Sequence, residues 1–207
     1  MDHTVLLAYI AVLTGFVFLP GPAVLLTLAR SASSGRKVGI ATGLGIATGD
    51  LGHTMMAVFG LSAILAASAF LFSLIKYAGA AYLIYLGVKA ILQKMEPTAL
   101  LRSPEVTIRE AYSQAVIAEL LNPKSALFFL AFLPQFVVPE GGAIALQLAV
   151  LGVLFVLMGA LSSTLYALAG GSISHFLRRN TFVARWQGKV VGTIYCALGV
   201  RLALQER

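Results

Sequence analysis

At 207 residues, 59% of them hydrophobic and 11% charged, with a mean hydropathy of +0.90, the chain is too apolar for a soluble domain of its size. Its net charge of +7 lies between apolar segments, not in one patch interleaved with aromatics, which argues for membrane topology and against a nucleic-acid partner. Cys196 is the only cysteine, so a disulfide framework, a thiolate metal cluster and a dithiol redox pair are excluded.

The start, Met1-Asp2-His3-Thr4, lacks the positive region of a cleavable signal, so the first apolar segment is expected to be retained. Six spans are expected, from Val5 to Leu28, Val38 to Ala67, Phe70 to Leu92, Ala111 to Phe136, Ala143 to Ala169 and Gln187 to Leu204. The sequence therefore predicts an all-α polytopic membrane protein. In the sixth segment Lys189 and Arg201 must snorkel toward opposite interfaces, and an interfacial helix is the alternative there.

Leu19-Pro20-Gly21-Pro22-Ala23 interrupts the first span. Its two prolines remove backbone donors, and lipid cannot satisfy the carbonyls they release, so the break must face protein or a polar cavity. Leu121-Asn122-Pro123-Lys124-Ser125 places a second break in the fourth span, and paired broken helices point to a transporter.

Arg30, Arg36 and Lys37 occupy the first connection, Lys94, Arg102 and Arg109 the third, and Arg178, Arg179 and Arg185 the fifth, whereas the second and fourth hold no Lys or Arg. The odd connections are therefore expected to be cytoplasmic and both termini outside, with Arg201 and Arg207 as mild dissent. The third connection carries Pro97 and Pro104 and divides the chain into a first three-helix repeat over 1–93, a connecting loop over 94–110 and a second repeat over 111–207.

The duplication is read from Lys76-Tyr-Ala-Gly79-Ala-Ala-Tyr82 against Lys189-Val-Val-Gly192-Thr-Ile-Tyr195, followed by Leu86-Gly87-Val88-Lys89 against Leu198-Gly199-Val200-Arg201. An odd number of spans per copy makes the two repeats inverted.

Asp50 lies near the centre of span two, where an ionised carboxylate costs roughly 2.5 to 3.5 kcal/mol. With His53 one turn away and Glu119 in span four, it is a candidate for proton coupling; a satisfied structural hydrogen bond is the plainer reading of Asp50 and His53. The substrate-site candidates are Pro20, Gly21, Pro22, Asp50, Asn122, Pro123 and Lys124. A zwitterionic amino acid needs complementary ends, with its carboxylate toward Lys124 or a half-helix N-terminus and its ammonium toward Asp50 or a freed carbonyl.

A salt bridge that only neutralises Lys124 is the alternative, and Glu119, nearer the cytoplasmic end, is open to solvation. Gly39, Gly43, Gly45, Gly49 and Gly52 are read as packing residues. Tyr82, Tyr85 and Tyr195 offer hydroxyls to a cavity, Phe128, Phe129, Phe132 and Phe136 suit lipid or neighbouring helices, and Trp186 suits an interface.

No Gly-x-x-x-x-Gly-Lys-Ser/Thr loop, His-Glu-x-x-His or serine triad occurs, so neither a nucleotide-driven pump nor an enzyme is expected, and no cofactor. Taken together, Leu19-Pro20-Gly21-Pro22, the Gly45 to His53 segment, Gly79-Ala-Ala-Tyr82-Leu-Ile-Tyr85-Leu-Gly87, Asn122-Pro123-Lys124 and Leu133-Pro134-Gln135-Phe136 resemble the LysE/RhtB amino-acid exporters.

The resemblance implies export of amino acids or close derivatives from the bacterial cytoplasm across the inner membrane, driven by proton uptake. Its implied partners are the amino-acid substrate, protons and lipid, and a homodimer is left open. Many members place polar residues beside the Pro-Gly-Pro core. Leu19 and Ala23 stand there in this chain, which leans the expected cargo toward small neutral amino acids. The competing readings are a membrane-embedded regulatory or assembly subunit, and an exporter of another metabolite or a metal ion.

Overall fold

The computed structural model describes residues 3–63, 68–92, 105–138, 141–179 and 181–204, which form helices and no strand. The first apolar segment is two helices, α1 (His3–Phe18) and α2 (Pro22–Ser34), bent by 46° at the proline break. Pro22 opens α2 at a position whose N–H would have no helical partner in any case. Gly35 closes it, with a φ of 89° that favours glycine and an N–H bonded to the Ser31 carbonyl at 3.1 Å, so the chain turns directly into α3 (Arg36–Met56). The end of α3 loosens into a π-helical turn over Ala57–Leu61.

Beyond it lies α4 (Ala69–Leu92). Thr107 starts α5 (Ile108–Leu120) in a capping box, its N–H donating to Glu110 Oε2 at 2.9 Å while the Glu110 N–H returns to Thr107 Oγ1 at 3.3 Å. After the second break, Asn122 caps α6 (Pro123–Leu127), which continues through a π turn over Phe128–Phe132 and a 3-10 turn over Leu133–Phe136; the break bends the pair by 42°. Two long helices complete the chain, α7 (Ile144–Arg179) and α8 (Thr181–Leu204).

Two described helices are long and apolar enough to cross a membrane, at Phe70–Leu92 and Ile144–Gly170, and up to four if each bent pair is one span. The connection expected between spans five and six is helical up to Arg179 and again from Thr181, because no proline interrupts it. Lys94, Pro97, Arg102 and Pro104, the end of span two at Ala67, and Arg207 lie outside the described residues, as do the side chains of Arg178, Arg179 and Arg185.

Small residues set how the helices approach and in which direction they run. A Cβ added at Gly45 would strike the Tyr112 carbonyl, at Gly49 it would lie 2.6 Å from Glu119 Cβ, and at Gly52 2.6 Å from Leu120 Cδ2, so α3 and α5 run parallel in close contact. On its other side α3 runs antiparallel to α7, with Gly39 against Ala167, Gly43 against Ser163 and Thr54 against Gly152. α4 and α8 are also antiparallel, pairing Gly87 with Gly192 and Ala80 with Gly199.

α1 follows α7 in the same direction, the Tyr9 hydroxyl donating to the Leu151 carbonyl at 2.7 Å and Ser162 Oγ to that of Val17 at 2.8 Å. Because Gly45 faces backbone that cannot step aside, Gly45→Leu is expected to cost more than the roughly 1–3 kcal/mol of ordinary overpacking. Loss of the monodisperse peak in detergent, with Leu44→Ala on the exposed face as control, checks this.

The core is aromatic. Tyr9, Phe16, Phe128, Phe129, Phe132, Phe136 and Phe155 are all buried, with ring centroids 4.4 Å apart for Phe16 and Phe128 and 4.8 Å for Phe129 and Phe155. The four phenylalanines following the second break thus pack on neighbouring helices. Leu44, Leu51 and Met55 form an exposed apolar stripe on α3, and Phe59, Phe70 and Leu157 are likewise exposed, as a polytopic membrane protein requires.

Candidate functional site

The first break leaves the carbonyls at the end of α1 without the N–H groups that a continuous helix would give them, and side chains from the second half of the chain supply donors instead. Pro20 cannot bond Phe16, and Lys124 Nζ donates to the Phe16 carbonyl at 3.0 Å and, more weakly, to that of Leu19 at 3.5 Å. Ser162 Oγ bonds the Val17 carbonyl. Pro22 cannot bond Phe18, and the Tyr166 hydroxyl donates to that carbonyl at 2.7 Å.

The second break is mended from the first half. Pro123 cannot bond the Glu119 carbonyl, which accepts instead from the Asn122 N–H at 2.9 Å and has His53 Nε2 2.9 Å away. A carbonyl only accepts, so His53 carries its proton on Nε2; its ring stacks on Phe129 at 5.6 Å. Asn122 Oδ1 accepts from the Lys124 N–H at 3.0 Å, while Asn122 Nδ2 donates to both Glu119 carboxylate oxygens at 3.1 Å. Ser125 Oγ also donates to Glu119 Oε1. Glu119 is consequently 2% exposed and held by its own break, not solvated as its position in the sequence suggests.

Gly21, Asp50, Glu119, Asn122, Lys124 and Ser125 line a single cavity of about 40 Å³ between the two breaks. Its far wall includes Ile46, Phe155 and Gly159, where an added Cβ would come within 3.3 Å of Asp50 Oδ2. Asp50 is 2% exposed, and its Oδ1 has no hydrogen-bond partner. A buried carboxylate oxygen left in this state is an acceptor for a proton or a cation. Lys124 does not fill that role: its ammonium donates to the Phe16 and Leu19 carbonyls and lies 4.2 Å from the Phe16 ring.

The cavity is thus lined both by two carboxyl side chains, Asp50 and Glu119, and by Lys124 and the first turn of α2, where Gly21, Ala23 and Val24 line it. Among the described residues no three His, Cys, Asp or Glu side chains converge to hold a metal ion.

A family model described as LysE type translocator matches residues 14–206. The chain belongs to that family. It is thereby a membrane transporter and not an enzyme, and three similar proteins extend the comparison. This LysE type translocator is 34% identical to an uncharacterized membrane protein of Pseudomonas aeruginosa over 90% of its own length and 89% of the relative's. It is 33% identical to one of Bacillus subtilis, covering 96% and 98%. A leucine efflux protein of Salmonella choleraesuis is 26% identical over 95% of both chains. No solved structure matches.

In the translocator, five of the residues singled out from sequence, Gly21, Asp50, Asn122, Lys124 and Glu119, share the cavity. Pro20, Pro22 and Pro123 shape the breaks, and His53 stands behind the Glu119 carbonyl. Of the three tyrosines, Tyr85 is 54% exposed on α4 with its ring tilted against that of Tyr82, whereas Tyr195 is buried beside Lys124.

Ser162 and Tyr166 were not singled out from sequence. The signal that would have found them is a run of hydroxyl groups, Ser162-Ser163-Thr164 and Tyr166, inside an otherwise apolar segment.

Proposed function

We propose that this translocator exports small neutral amino acids from the bacterial cytoplasm across the inner membrane in exchange for protons. The observation carrying this reading is the single cavity between the two proline breaks, whose walls hold Asp50, with one carboxylate oxygen unpartnered, and Lys124 with the α2 N-terminus. Those walls suit the two ends of a zwitterion. Val24, Ile46 and Phe155 supply an apolar lining for an uncharged side chain, and the leucine efflux relative supports a cargo of that class.

Asp50 and Glu119 are the proton carriers in this scheme, and His53 holds the second break. At about 40 Å³ the cavity is far below the roughly 300 Å³ or more of small-molecule pockets, so the described state is closed and cargo enters only when the halves part.

Six crossings, arranged as inverted halves over 1–93 and 111–207 with the odd connections cytoplasmic and the termini outside, are part of the same proposal. The helix directions support it: α3 is antiparallel to α7 and α4 to α8, as counterparts in inverted copies must be, and α3 is parallel to α5. The break in α1–α2 and the break in α5–α6 fall at corresponding places and bend by similar angles.

Counterflow in liposomes holding only the purified protein tests the function. Loaded with unlabelled neutral amino acids, they are expected to accumulate labelled leucine or a close relative saturably, and an imposed pH gradient is expected to drive net movement. Folded, inserted protein that exchanges no amino acid would overturn the proposal and favour a subunit acting through a partner.

A further inference from the structure

We propose that Tyr195 is a cargo-binding residue whose hydroxyl, together with the Lys124 ammonium, receives the carboxylate of the transported amino acid. The inference rests on the amino-acid reading above and assigns one end of the cargo to the place where Gly21 and Lys124 line the cavity, with Tyr195 next to both.

Tyr195 comes from α8, the helix farthest in sequence from the first break, and is 5% exposed. Its hydroxyl is buried and has no hydrogen-bond partner, which is rare for a phenol in a packed interior. The ring lies 5.3 Å from Lys124 Nζ. A Cβ built on Gly21 would lie 3.0 Å from that Nζ and 3.4 Å from the Tyr195 hydroxyl, so both groups bound the small space that Gly21 leaves at the start of α2.

An ammonium has three donors, and Lys124 places them on two carbonyls, Phe16 and Leu19, leaving one. The phenol adds a second donor, and the first turn of α2 adds its N–H groups and the positive end of its dipole. The groups still unspent here, the third Lys124 donor, the Tyr195 hydroxyl and the N–H groups opening α2, can all donate, so an acceptor carrying negative charge fits the space. A carboxylate is such a group. The amino group of the same cargo is repelled here and goes to Asp50, which lines the same cavity.

Tyr195→Phe keeps the ring against Lys124 and removes only the hydroxyl. Equilibrium binding of L-leucine and of L-leucinamide, which lacks the carboxylate, is measured on purified wild type and variant; if another neutral amino acid is the better counterflow cargo, it and its carboxamide replace them. Wild type is expected to prefer the acid, and Tyr195→Phe to lose about tenfold of that preference, the scale of one hydrogen bond to a charged group, while amide binding holds. Tyr82→Phe on α4, the matching change in the other repeat, is expected to leave both constants unaltered. An undiminished preference in Tyr195→Phe, or an equal loss in Tyr82→Phe, overturns the assignment. If wild type binds no amino acid at all, the cargo reading itself falls and takes the assignment with it.

Discussion

Asp50→Asn is expected to abolish transport driven by a pH gradient while leaving a folded, monodisperse protein. The substitution keeps the shape of the side chain, but an amide neither releases a proton nor offers a full negative charge to an ammonium. Oδ1 has no hydrogen bond in the closed state, and the amide can still hydrogen-bond the neighbouring Glu119 carboxylate, so thermal stability in detergent should fall little.

Cargo affinity is expected to drop about 10- to 100-fold, the equivalent of one charge-assisted hydrogen bond. The two roles separate in proteoliposomes. If gradient-driven movement fails but exchange at saturating cargo persists, Asp50 carries the coupled proton; if both fail in a folded protein, it holds the cargo. Wild-type export by Asp50→Asn would remove Asp50 from the mechanism altogether.

Lys124→Met should do more, because Lys124 serves the fold and the site at once. Methionine fills similar volume beside Phe16 but leaves the Phe16 carbonyl without a donor in a buried place, which costs about 1–3 kcal/mol and lowers the midpoint of thermal unfolding. It also removes the cation from one wall of the cavity, so transport is expected to disappear.

Ser162→Ala and Tyr166→Phe separate the two losses. Each orphans a neighbouring carbonyl at the same break, those of Val17 and Phe18, without altering the charge of the cavity. Both are expected to be destabilised on the scale of Lys124→Met yet still transport. If all three lose transport in proportion to stability, Lys124 is a cap and nothing more; if Lys124→Met transports normally, the cargo site lies elsewhere.

The parts of the site that were legible in sequence are those whose chemistry conflicts with lipid on its own terms. Prolines at 20, 22 and 123 must release carbonyls in any bilayer, and an aspartate at position 50 must be sheltered, whatever surrounds them. The packing role of the glycines on α3 was legible for a similar reason, since their spacing leaves one face bare.

The partners were less accessible. That Lys124 reaches back to Phe16 instead of pairing with Asp50, that His53 serves a carbonyl, and that Ser162 and Tyr166 close the first break all depend on which helices meet, and no local pattern encodes that. The fifth apolar span, expected from Ala143 to Ala169, matches Ile144–Gly170, and the helix runs on to Arg179 because a rise in polarity marks only the end of an apolar stretch.

The first break is mended by side chains from the second half of the chain, and this bears on how such a chain is made. During synthesis the Phe16 carbonyl must wait for a lysine 108 residues downstream, and the Phe18 carbonyl for a tyrosine 148 residues downstream. The first three helices therefore have no finished form alone in lipid; something outside them must shield the fault until translation is nearly complete.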